Sequence, residues 1–230
     1  MLPKKQEVEM NEMYNEDYFE RGLVSGISGY MNYSWMPELT LRMAHFFITD
    51  LPIARQEKVL DFGCAKGFLV KALRILGIEA YGVDVSQYAI AQTDTAIRQY
   101  CCLTPPKDFL PSFVDVYDWM IAKDVFEHIP EQAIRDLLVQ TAGRVRRCFA
   151  VIPLAANDIS NKYIVPEYDR DVTHVLARTA KWWTALFSET GWEVEGLSYT
   201  FNGCKENWTS KWQCGNGFFT CRSNAKNHVR

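Results

Sequence analysis

The stretch KVLDFGCAKGFLV, residues 58–70, restricts the possible folds of this chain more than any other part of it. An apolar run ends at Asp61, two glycines follow at Gly63 and Gly67, and apolar residues then recur at helical spacing. Glycine in such a turn allows backbone conformations and close approaches that a side chain would prevent. The stretch therefore predicts a buried strand joined to a helix by a glycine turn, the kind of connection at which α/β proteins bind nucleotide-like ligands.

The rest of the chain alternates between strand patterns and helix patterns. Strands are predicted at 57–62, 78–85, 117–122 and 147–154, and helices at 36–51, 68–76, 86–100, 130–145 and 179–191. We expect Ser86 to cap one helix, Gly77 to end another, and Pro130 to begin a third. This alternation implies right-handed crossovers and a mostly parallel, doubly wound sheet. The last two strand patterns, 192–201 and 215–223, predict a closing antiparallel hairpin, whereas the stretch 101–116 has no clear pattern.

Composition narrows the class of protein. A chain of 230 residues is most simply one domain. Its net charge of −3 gives no electrostatic footprint for nucleic acid or for an acidic membrane. The seven cysteines form no CxxC pair and no zinc-ligand spacing, so we expect reduced core thiols and no metal site. The longest apolar stretch, at 149–156, is too short to span a bilayer, and the polar N-terminus has no secretory pattern, so a cytoplasmic protein is expected.

A second carboxylate suggests the kind of ligand. Asp84 ends the next predicted strand, 23 residues after Asp61, where an acid can accept hydrogen bonds from both hydroxyl groups of a ribose. A dinucleotide fingerprint would have a third glycine where Ala65 stands, and a P-loop would need Gly-Lys-Ser/Thr, which is absent. An adenosine-containing cofactor is therefore expected. A tight connection without a ligand and an NAD site remain alternatives on these residues alone.

Three motifs in order carry a family resemblance: DFGCAKG at 61–67, YGVDVS at 81–86 and DWMIAKDVFEHIP at 118–130. They resemble the class I S-adenosylmethionine-dependent methyltransferases over roughly residues 57–154. YFERG and GYMNY, between residues 18 and 33, resemble the N-terminal cap of the small-molecule branch. The resemblance implies a Rossmann-like α/β fold with a seven-stranded sheet. It also implies one domain in three parts: a cap and helix at 1–56, a cofactor-binding core at 57–154, and an acceptor-side loop, helix and hairpin at 155–230.

The resemblance also implies roles for individual residues. Asp61 would act on the ammonium group of the cofactor, Asp84 would hold the ribose hydroxyls, and Val85 would pack on the adenine. Tyr30 and Tyr33 would form either a lid over the cofactor or an aromatic staple that fixes the N-terminal segment. The remaining cofactor contacts that it implies are Gly63, Cys64, Ala65, Gly67, Phe68, Asp108, Phe109 and Lys123.

Catalysis of methyl transfer requires a general base only when the acceptor atom keeps a proton at neutral pH. The candidate catalytic residues are His174, His128 and Asp124; either histidine could instead order a loop. We expect His45 to be packed in the core and His228 to be solvated. The lysines that follow Cys204 are expected to be solvated on a closing hairpin. One of the adjacent tryptophans at 182 and 183 should be in the core, and the other could line the acceptor pocket.

These interpretations predict an enzyme that transfers a methyl group from S-adenosylmethionine to an oxygen or nitrogen of a small or medium-sized metabolite and releases S-adenosylhomocysteine. The expected partner is a small-molecule acceptor, and we expect the protein to bind neither nucleic acid nor a membrane. The chain is expected to be a monomer or a homodimer. A nucleic-acid or protein methyltransferase is one alternative, and it would bind its substrate with strong salt dependence. A non-catalytic scaffold that binds S-adenosylmethionine is another.

Overall fold

The computed structural model describes residues 12–104 and 109–224. Its chain contacts define two compact units, an N-terminal unit, Met1–Asp115, and a C-terminal unit, Val116–Arg230. Two sequence predictions, the adenine contact at Asp108 and the solvated His228, concern residues outside the described ranges.

The N-terminal unit contains helices and three strands. Its N-terminal segment contains a π-helical turn at Asp17–Arg21 and an α-helical turn at Gly22–Ser25. The elements that follow are α1 (Pro37–Asp50), β1 (Lys58–Phe62), α2 (Phe68–Ile75), β2 (Glu79–Asp84), α3 (Gln87–Ala91), a 3-10 turn (Arg98–Tyr100) and β3 (Cys101–Leu103).

The three strands of this unit pair in parallel, so their carboxyl ends lie at one edge. β1 pairs with β2, with Asp61 opposite Gly82, and β2 pairs with β3, with Asp84 opposite Leu103. The predicted caps are confirmed: the hydroxyl oxygen of Ser86 accepts the backbone N–H of Ala89 at 3.0 Å. Gly77 follows the end of α2 with φ +85°, a conformation that favours glycine.

The predicted helix at 86–100 is wrong in its second half, because α3 ends at Ala91. The side chain of Asp94 supplies the physical reason. Its carboxylate accepts the backbone N–H of Ala96 at 2.9 Å and binds the ammonium group of Lys71 at 2.6 Å. An aspartate that bonds to a nearby backbone group in this way stabilises a turn in competition with the helix. The chain then continues into β3, in the stretch 101–116, for which no element was predicted.

His45 also differs from expectation, because it is exposed on α1 rather than packed in the core. The buried residues of that helix are Ala44 and Phe47. A residue between these two positions lies off the face of the helix that they define.

The C-terminal unit contains the other four strands. Its elements are β4 (Tyr117–Lys123), a 3-10 turn (Phe126–His128), α4 (Glu131–Ala142), β5 (Val145–Pro153), a 3-10 turn (Pro166–Arg170), α5 (Ala180–Glu189), β6 (Trp192–Ser198), α6 (Glu206–Lys211) and β7 (Asn216–Ser223). Pro130 lies one position before the first residue of α4.

Strands β4 and β5 are parallel, and β7 is antiparallel both to β5 and to β6. The closing antiparallel pair is therefore confirmed, with α6 in the connection between its two strands. The seven strands belong to one sheet in the order β3-β2-β1-β4-β5-β7-β6. This order confirms the predicted α/β fold with a mostly parallel, seven-stranded sheet.

Large apolar side chains fill the core of the C-terminal unit. Trp183 on α5 is fully buried, as predicted for one member of the tryptophan pair, and Trp182 is half-buried beside Arg178. The indole N–H of Trp192 donates to the carbonyl oxygen of Leu138 at 2.9 Å, which satisfies its one polar group in the core. Among the described residues, we find no helix whose length and apolar character would allow it to cross a membrane.

Candidate functional site

The turn after β1 has the backbone geometry that its glycines predicted. Gly63, Ala65 and Gly67 all have positive φ, at 79°, 49° and 75°. A Cβ atom at Gly67 would also lie 2.8 Å from Cδ1 of Ile97 and 3.0 Å from Sγ of Cys101, so this position requires glycine for space as well as for conformation. Ala65 adopts a conformation that residues with side chains rarely adopt.

Asp84 fixes this turn to the end of the neighbouring strand. One carboxylate oxygen accepts the backbone N–H of Ala65 at 2.7 Å, and the other accepts the backbone N–H of Ser86 at 2.7 Å. Burial raises the pKa of Asp84, and the backbone donors oppose that shift. A carboxylate has about four lone-pair sites, so it can accept further hydrogen bonds beyond these two. The arrangement fits the adenosyl cofactor that the sequence predicted, with hydrogen-bond acceptors beside a turn that allows close backbone approach.

The other predicted cofactor residues of this unit differ in exposure. Asp61 is 5% exposed at the end of β1. Cys64 is buried, and a Cβ at Gly82 would lie 2.7 Å from its sulfur, so its side chain packs under the turn and only its backbone is placed to contact a ligand. Phe68, Val85 and Phe109 are half-buried.

An aromatic cluster from the N-terminal segment covers the glycine turn. The ring of Tyr33 lies 4.8 Å from that of Tyr30 and 5.0 Å from that of Phe68, the first residue of α2. Tyr18 and Phe19, both buried, form the centre of the cluster. These contacts are those of an aromatic staple; the role of a lid over the cofactor stays a prediction.

Lys66, a residue that sequence reasoning passed over, joins the same segment to the turn. Its ammonium group binds the carboxylate of Glu20 at 2.5 Å and donates to the carbonyl oxygen of Tyr33 at 2.7 Å. The side chain of Lys66 is 11% exposed and that of Glu20 21%. A lysine between two glycines was visible in the sequence, but its distant partner was not.

A second polar group of residues, after β4 in the C-terminal unit, surrounds Asp124. Its carboxylate binds the ammonium group of Lys123 at 2.6 Å and also that of Lys205. Lys205 donates in addition to the hydroxyl of Tyr168 and the side-chain oxygen of Asn216, both at 2.9 Å. Burial alone would raise the pKa of Asp124, but the two ammonium groups outweigh it and hold that pKa well below its usual range.

Two consequences follow from this ion pair. Asp124 is a carboxylate that two cations stabilise, which makes it a poor proton acceptor. The expectation of solvated lysines after Cys204 is wrong for Lys205, because the side chain of Lys205 is 8% exposed and its charge is compensated by Asp124.

His128 and His174, predicted as separate candidates, lie together beside Glu127. The two imidazole rings are 4.6 Å apart, and Nε2 of His174 is 4.0 Å from a carboxylate oxygen of Glu127. Burial lowers the pKa of His128 to about 4, with the nearby His174 adding to the shift, and burial also lowers the pKa of His174. Burial raises the pKa of Glu127 to about 8, and the charge of Asp124 adds to that shift.

The same three residues connect two loops. The backbone carbonyl of Glu127 accepts the N–H groups of Val175 and Leu176 at 2.9 and 3.1 Å. Nδ1 of His128 bonds to the hydroxyl of Thr173 at 2.8 Å. The loop after β4 and the loop after β5 are thereby held together, which supports the loop-ordering interpretation of both histidines.

In a comparison with known proteins, the chain matches one protein family and resembles many solved structures in fold. A family model described as "Methyltransferase domain" matches residues 30–197. No curated protein sequence matches the chain. A chain from the complex between the Haloferax volcanii Trm112 methyltransferase activator and a putative methyltransferase aligns with a TM-score of 0.60 and 15% identity, over 83% of this chain and 92% of that one.

Two enzymes with named substrates are similar in structure. The mitomycin 7-O-methyltransferase MmcR aligns with a TM-score of 0.57 and 15% identity, over 81% of this chain and 54% of that enzyme. The glycopeptide N-methyltransferase MtfA, solved with sinefungin, aligns with a TM-score of 0.57 and 11% identity, over 84% of this chain and 89% of that one. This chain therefore spans about half the length of some of its structural relatives, and at these identities the likeness is one of fold.

Proposed function

This chain belongs to the class I, S-adenosylmethionine-dependent methyltransferases, and from that premise we propose that it methylates an oxygen or nitrogen atom of a small or medium-sized metabolite. The observation that carries the proposal is the pairing of Asp84 with the left-handed turn at 63–67, because it puts carboxylate acceptors and an approachable backbone at the carboxyl ends of adjacent strands.

When bound, S-adenosylmethionine supplies a methyl group on a sulfonium, which is already activated for displacement. The residues of this chain would bind and orient it. We propose that Asp84 accepts the ribose hydroxyls, that Asp61 acts on the ammonium group, and that Val85 packs on the adenine. The backbone from Gly63 to Gly67 would line the methionine end, and the aromatic cluster would exclude water from it.

The acceptor side is proposed to involve residues of the C-terminal unit. Of the three predicted catalytic residues, Asp124 is the least suited to accept a proton, because Lys123 and Lys205 stabilise its charge. Burial lowers the pKa of His174, which favours the neutral imidazole that a general base needs. A net charge of −3 favours a small acceptor over a polyanion. The predictions of a cytoplasmic location and of a monomer or homodimer stay predictions.

The substrate class can be tested with labelled S-adenosylmethionine. The protein is incubated with it and with fractionated metabolite, nucleic-acid and protein pools. We expect the label to enter the metabolite pool. Label in nucleic acid, with salt-sensitive uptake, would establish the alternative substrate class. Binding of the cofactor without label in any pool would favour the non-catalytic scaffold.

The cofactor assignment can be tested with the variant Asp84→Asn. We expect S-adenosylhomocysteine to raise the melting temperature of the wild type and to bind this variant about 10- to 100-fold more weakly, since a hydrogen bond to a charged group contributes about 1.5–3 kcal/mol. Asp50→Asn, at an exposed position at the end of α1, is the control and should bind normally.

The variant His174→Ala separates binding from turnover. It should keep the shift in melting temperature caused by S-adenosylhomocysteine and should lower turnover. An equal loss of binding in Asp84→Asn and His174→Ala would contradict this division of roles.

A further inference from the structure

We propose that Glu127, His128 and His174 bind one divalent transition-metal ion, with Zn²⁺ as the best fit to these ligands. Each residue offers one ligand atom, and the three atoms all lie within 4.8 Å of one another. All three belong to the C-terminal unit, so the proposed site does not depend on the assignment of the cofactor. The sequence predicted no metal site, because its only signal for one was cysteine spacing and His174 is distant from the Glu-His pair along the chain.

The carboxylate of Glu127 is the first observation that points to a cation. Glu127 is fully buried, and within the part of the chain that the structure describes neither carboxylate oxygen has a hydrogen-bond partner. A buried carboxylate without partners is strongly unfavourable, and buried charges in proteins are normally paired or coordinate metals. The ring nitrogen Nε2 of His174, at 4.0 Å, is too far away for a hydrogen bond.

The hydrogen bonds of the two histidines are the second observation. Nδ1 of His174 lies 2.7 Å from the carbonyl oxygen of Tyr168, which can only accept, so the ring proton is on Nδ1 and the lone pair is on Nε2. The hydroxyl of Thr173 donates its single proton to the carboxylate of Asp171 at 2.5 Å. It must therefore accept from Nδ1 of His128, which leaves the lone pair of His128 on Nε2 as well.

This arrangement is the one that proteins use to prepare histidines for metal binding. A ligating histidine commonly donates its other N–H to a carbonyl or to a carboxylate-linked group, which fixes its tautomer and its orientation. Here one nitrogen of each histidine and a carboxylate oxygen of Glu127 lie within 4.8 Å of one another. Two histidines and one glutamate form a nitrogen and oxygen set that suits Zn²⁺, with bonds of about 2.0–2.2 Å. Binding would draw the three donor atoms, which lie within 4.8 Å of one another, closer together.

The ion would have a structural consequence. It would connect the turn after β4, which contains Glu127 and His128, to the loop after β5, which contains His174. The lone pair of His174 would then be held by the metal, so the ligand role and the role of a general base exclude one another. Experiment can therefore distinguish this inference from the catalytic role assigned to His174 above.

A titration with Co²⁺ tests the site without any methyl donor. The full chain is stripped of metal with a chelator and titrated with Co²⁺, whose ligand-field absorption reports coordination. We expect one ion per chain, displacement by Zn²⁺, and a melting temperature that the chelator lowers and Zn²⁺ restores. Loss of a hydrogen bond to a metal ligand typically weakens metal binding roughly 10- to 100-fold. Glu127→Gln and His174→Gln each remove a ligand itself, so we expect them to weaken Co²⁺ binding by more than this.

Further variants keep the test decisive if a ligand variant fails to fold. Thr173→Val removes the acceptor for Nδ1 of His128 and should weaken Co²⁺ binding about 10- to 100-fold. Tyr163 also has a buried hydroxyl without a hydrogen-bond partner among the described residues. A hydrogen bond from this hydroxyl to Glu127, in place of a metal, is a competing explanation for the buried carboxylate. Tyr163→Phe should retain metal binding, and His45→Gln, at an exposed histidine, should bind as the wild type does.

Two results would overturn the proposal. One is a folded wild-type protein that takes up no stoichiometric Co²⁺ or Zn²⁺, which would mean that a proton, a water molecule or Tyr163 satisfies Glu127. The other is unchanged affinity in Glu127→Gln, His174→Gln and Thr173→Val, which would place the bound ion elsewhere.

Discussion

Two carboxylates three residues apart after β4 have opposite pKa shifts, because they differ in partners rather than in chemistry. The pKa of Asp124 is well below its usual range, because Lys123 and Lys205 both bind its carboxylate. The pKa of Glu127 is raised to about 8, because burial and the nearby charge of Asp124 outweigh the opposing effects of Lys205, Lys123 and its own backbone N–H. The neighbouring charges and hydrogen bonds therefore determine whether each carboxyl group at this turn is ionised. Burial raises the free energy of a charged group that has no such neighbour.

The ion pair of Asp124 predicts how stability depends on pH. Because the pKa of Asp124 is lower in the folded than in the unfolded protein, its contribution is fully present above the unfolded pKa and is lost as the pH falls through the folded pKa. We expect Asp124→Asn to cost about 3 kcal/mol at neutral pH, since Lys205 would keep a buried charge without its counter-ion. The deficit relative to the wild type should shrink as the pH is lowered below the normal aspartate range.

Urea denaturation of both proteins at neutral and at acidic pH measures this change. Asp118→Asn is the control, because Asp118 pairs with the exposed Arg146, 3.5 Å away, and such a surface pair contributes less than about 1 kcal/mol. A deficit in Asp124→Asn that stays constant across the acidic range would mean that the cost is one of packing rather than of charge.

At the scale of single residues, the sequence predicted what depends on local pattern. The glycine turn after Asp61 could be predicted, because a strand end followed by glycines is typical of few structures. The environments of Glu127 and Lys205 could not be predicted, because the groups that surround these residues come from distant parts of the chain. Charge pairing across such distances leaves no local signal.

At the scale of elements, the N-terminal segment shows the same limit. Its aromatic residues were evident, but no periodicity predicted the helical turns at Asp17–Arg21 and Gly22–Ser25. The segment is fixed by contacts with the turns after β1 and β2. Lys66 binds Glu20, and the hydroxyl of Ser86 donates to the carbonyl oxygen of Tyr14 at 2.5 Å.

The ion pair between Lys66 and Glu20 should therefore control how tightly this segment is held. We expect Lys66→Met to lower the free energy of unfolding by about 1.5–3 kcal/mol, the contribution of a hydrogen bond to a charged group. Backbone amides between residues 18 and 33 should exchange hydrogen faster in this variant, because local opening of the segment becomes easier. Hydrogen exchange followed by mass spectrometry measures both effects by region.

Lys71→Met is the matched control. Lys71 also lies near the start of α2 and also pairs with a carboxylate, that of Asp94 at 2.6 Å, but its partner is more exposed. Its loss should cost less than about 1 kcal/mol and leave exchange between residues 18 and 33 unchanged. Equal protection of that region in Lys66→Met and the wild type would show that the aromatic contacts alone hold it.

At the scale of the whole molecule, the alternation of strands and helices predicted the fold class, but it did not predict the strand order. The alternating patterns of the last two strands predicted that β6 and β7 form an antiparallel closing pair. The insertion of β7 between β5 and β6 depends on which edge the last strand joins, and no stretch of sequence encodes that directly. The single domain stays a prediction, and the contacts define two compact units.

Cysteine labelling can establish whether the molecule unfolds as one cooperative unit. All seven cysteines are free, and Cys214 is exposed, whereas Cys64 in the N-terminal unit and Cys148 in the C-terminal unit are buried. Burial raises the pKa of the Cys148 thiol, and hydrogen bonding and burial raise that of Cys64, so both should resist alkylation in the native protein. We expect iodoacetamide to label Cys214 first and all seven thiols after denaturation.

Labelling along a denaturant gradient, read by peptide mass spectrometry, then compares the two units. From the prediction of a single domain, we expect Cys64 and Cys148 to lose protection at the same denaturant concentration. The variant Cys214→Ser should leave that concentration unchanged, since its side chain is exposed. Loss of protection at Cys64 well before Cys148, or the reverse, would show that the two units unfold separately and that the single-domain prediction is wrong.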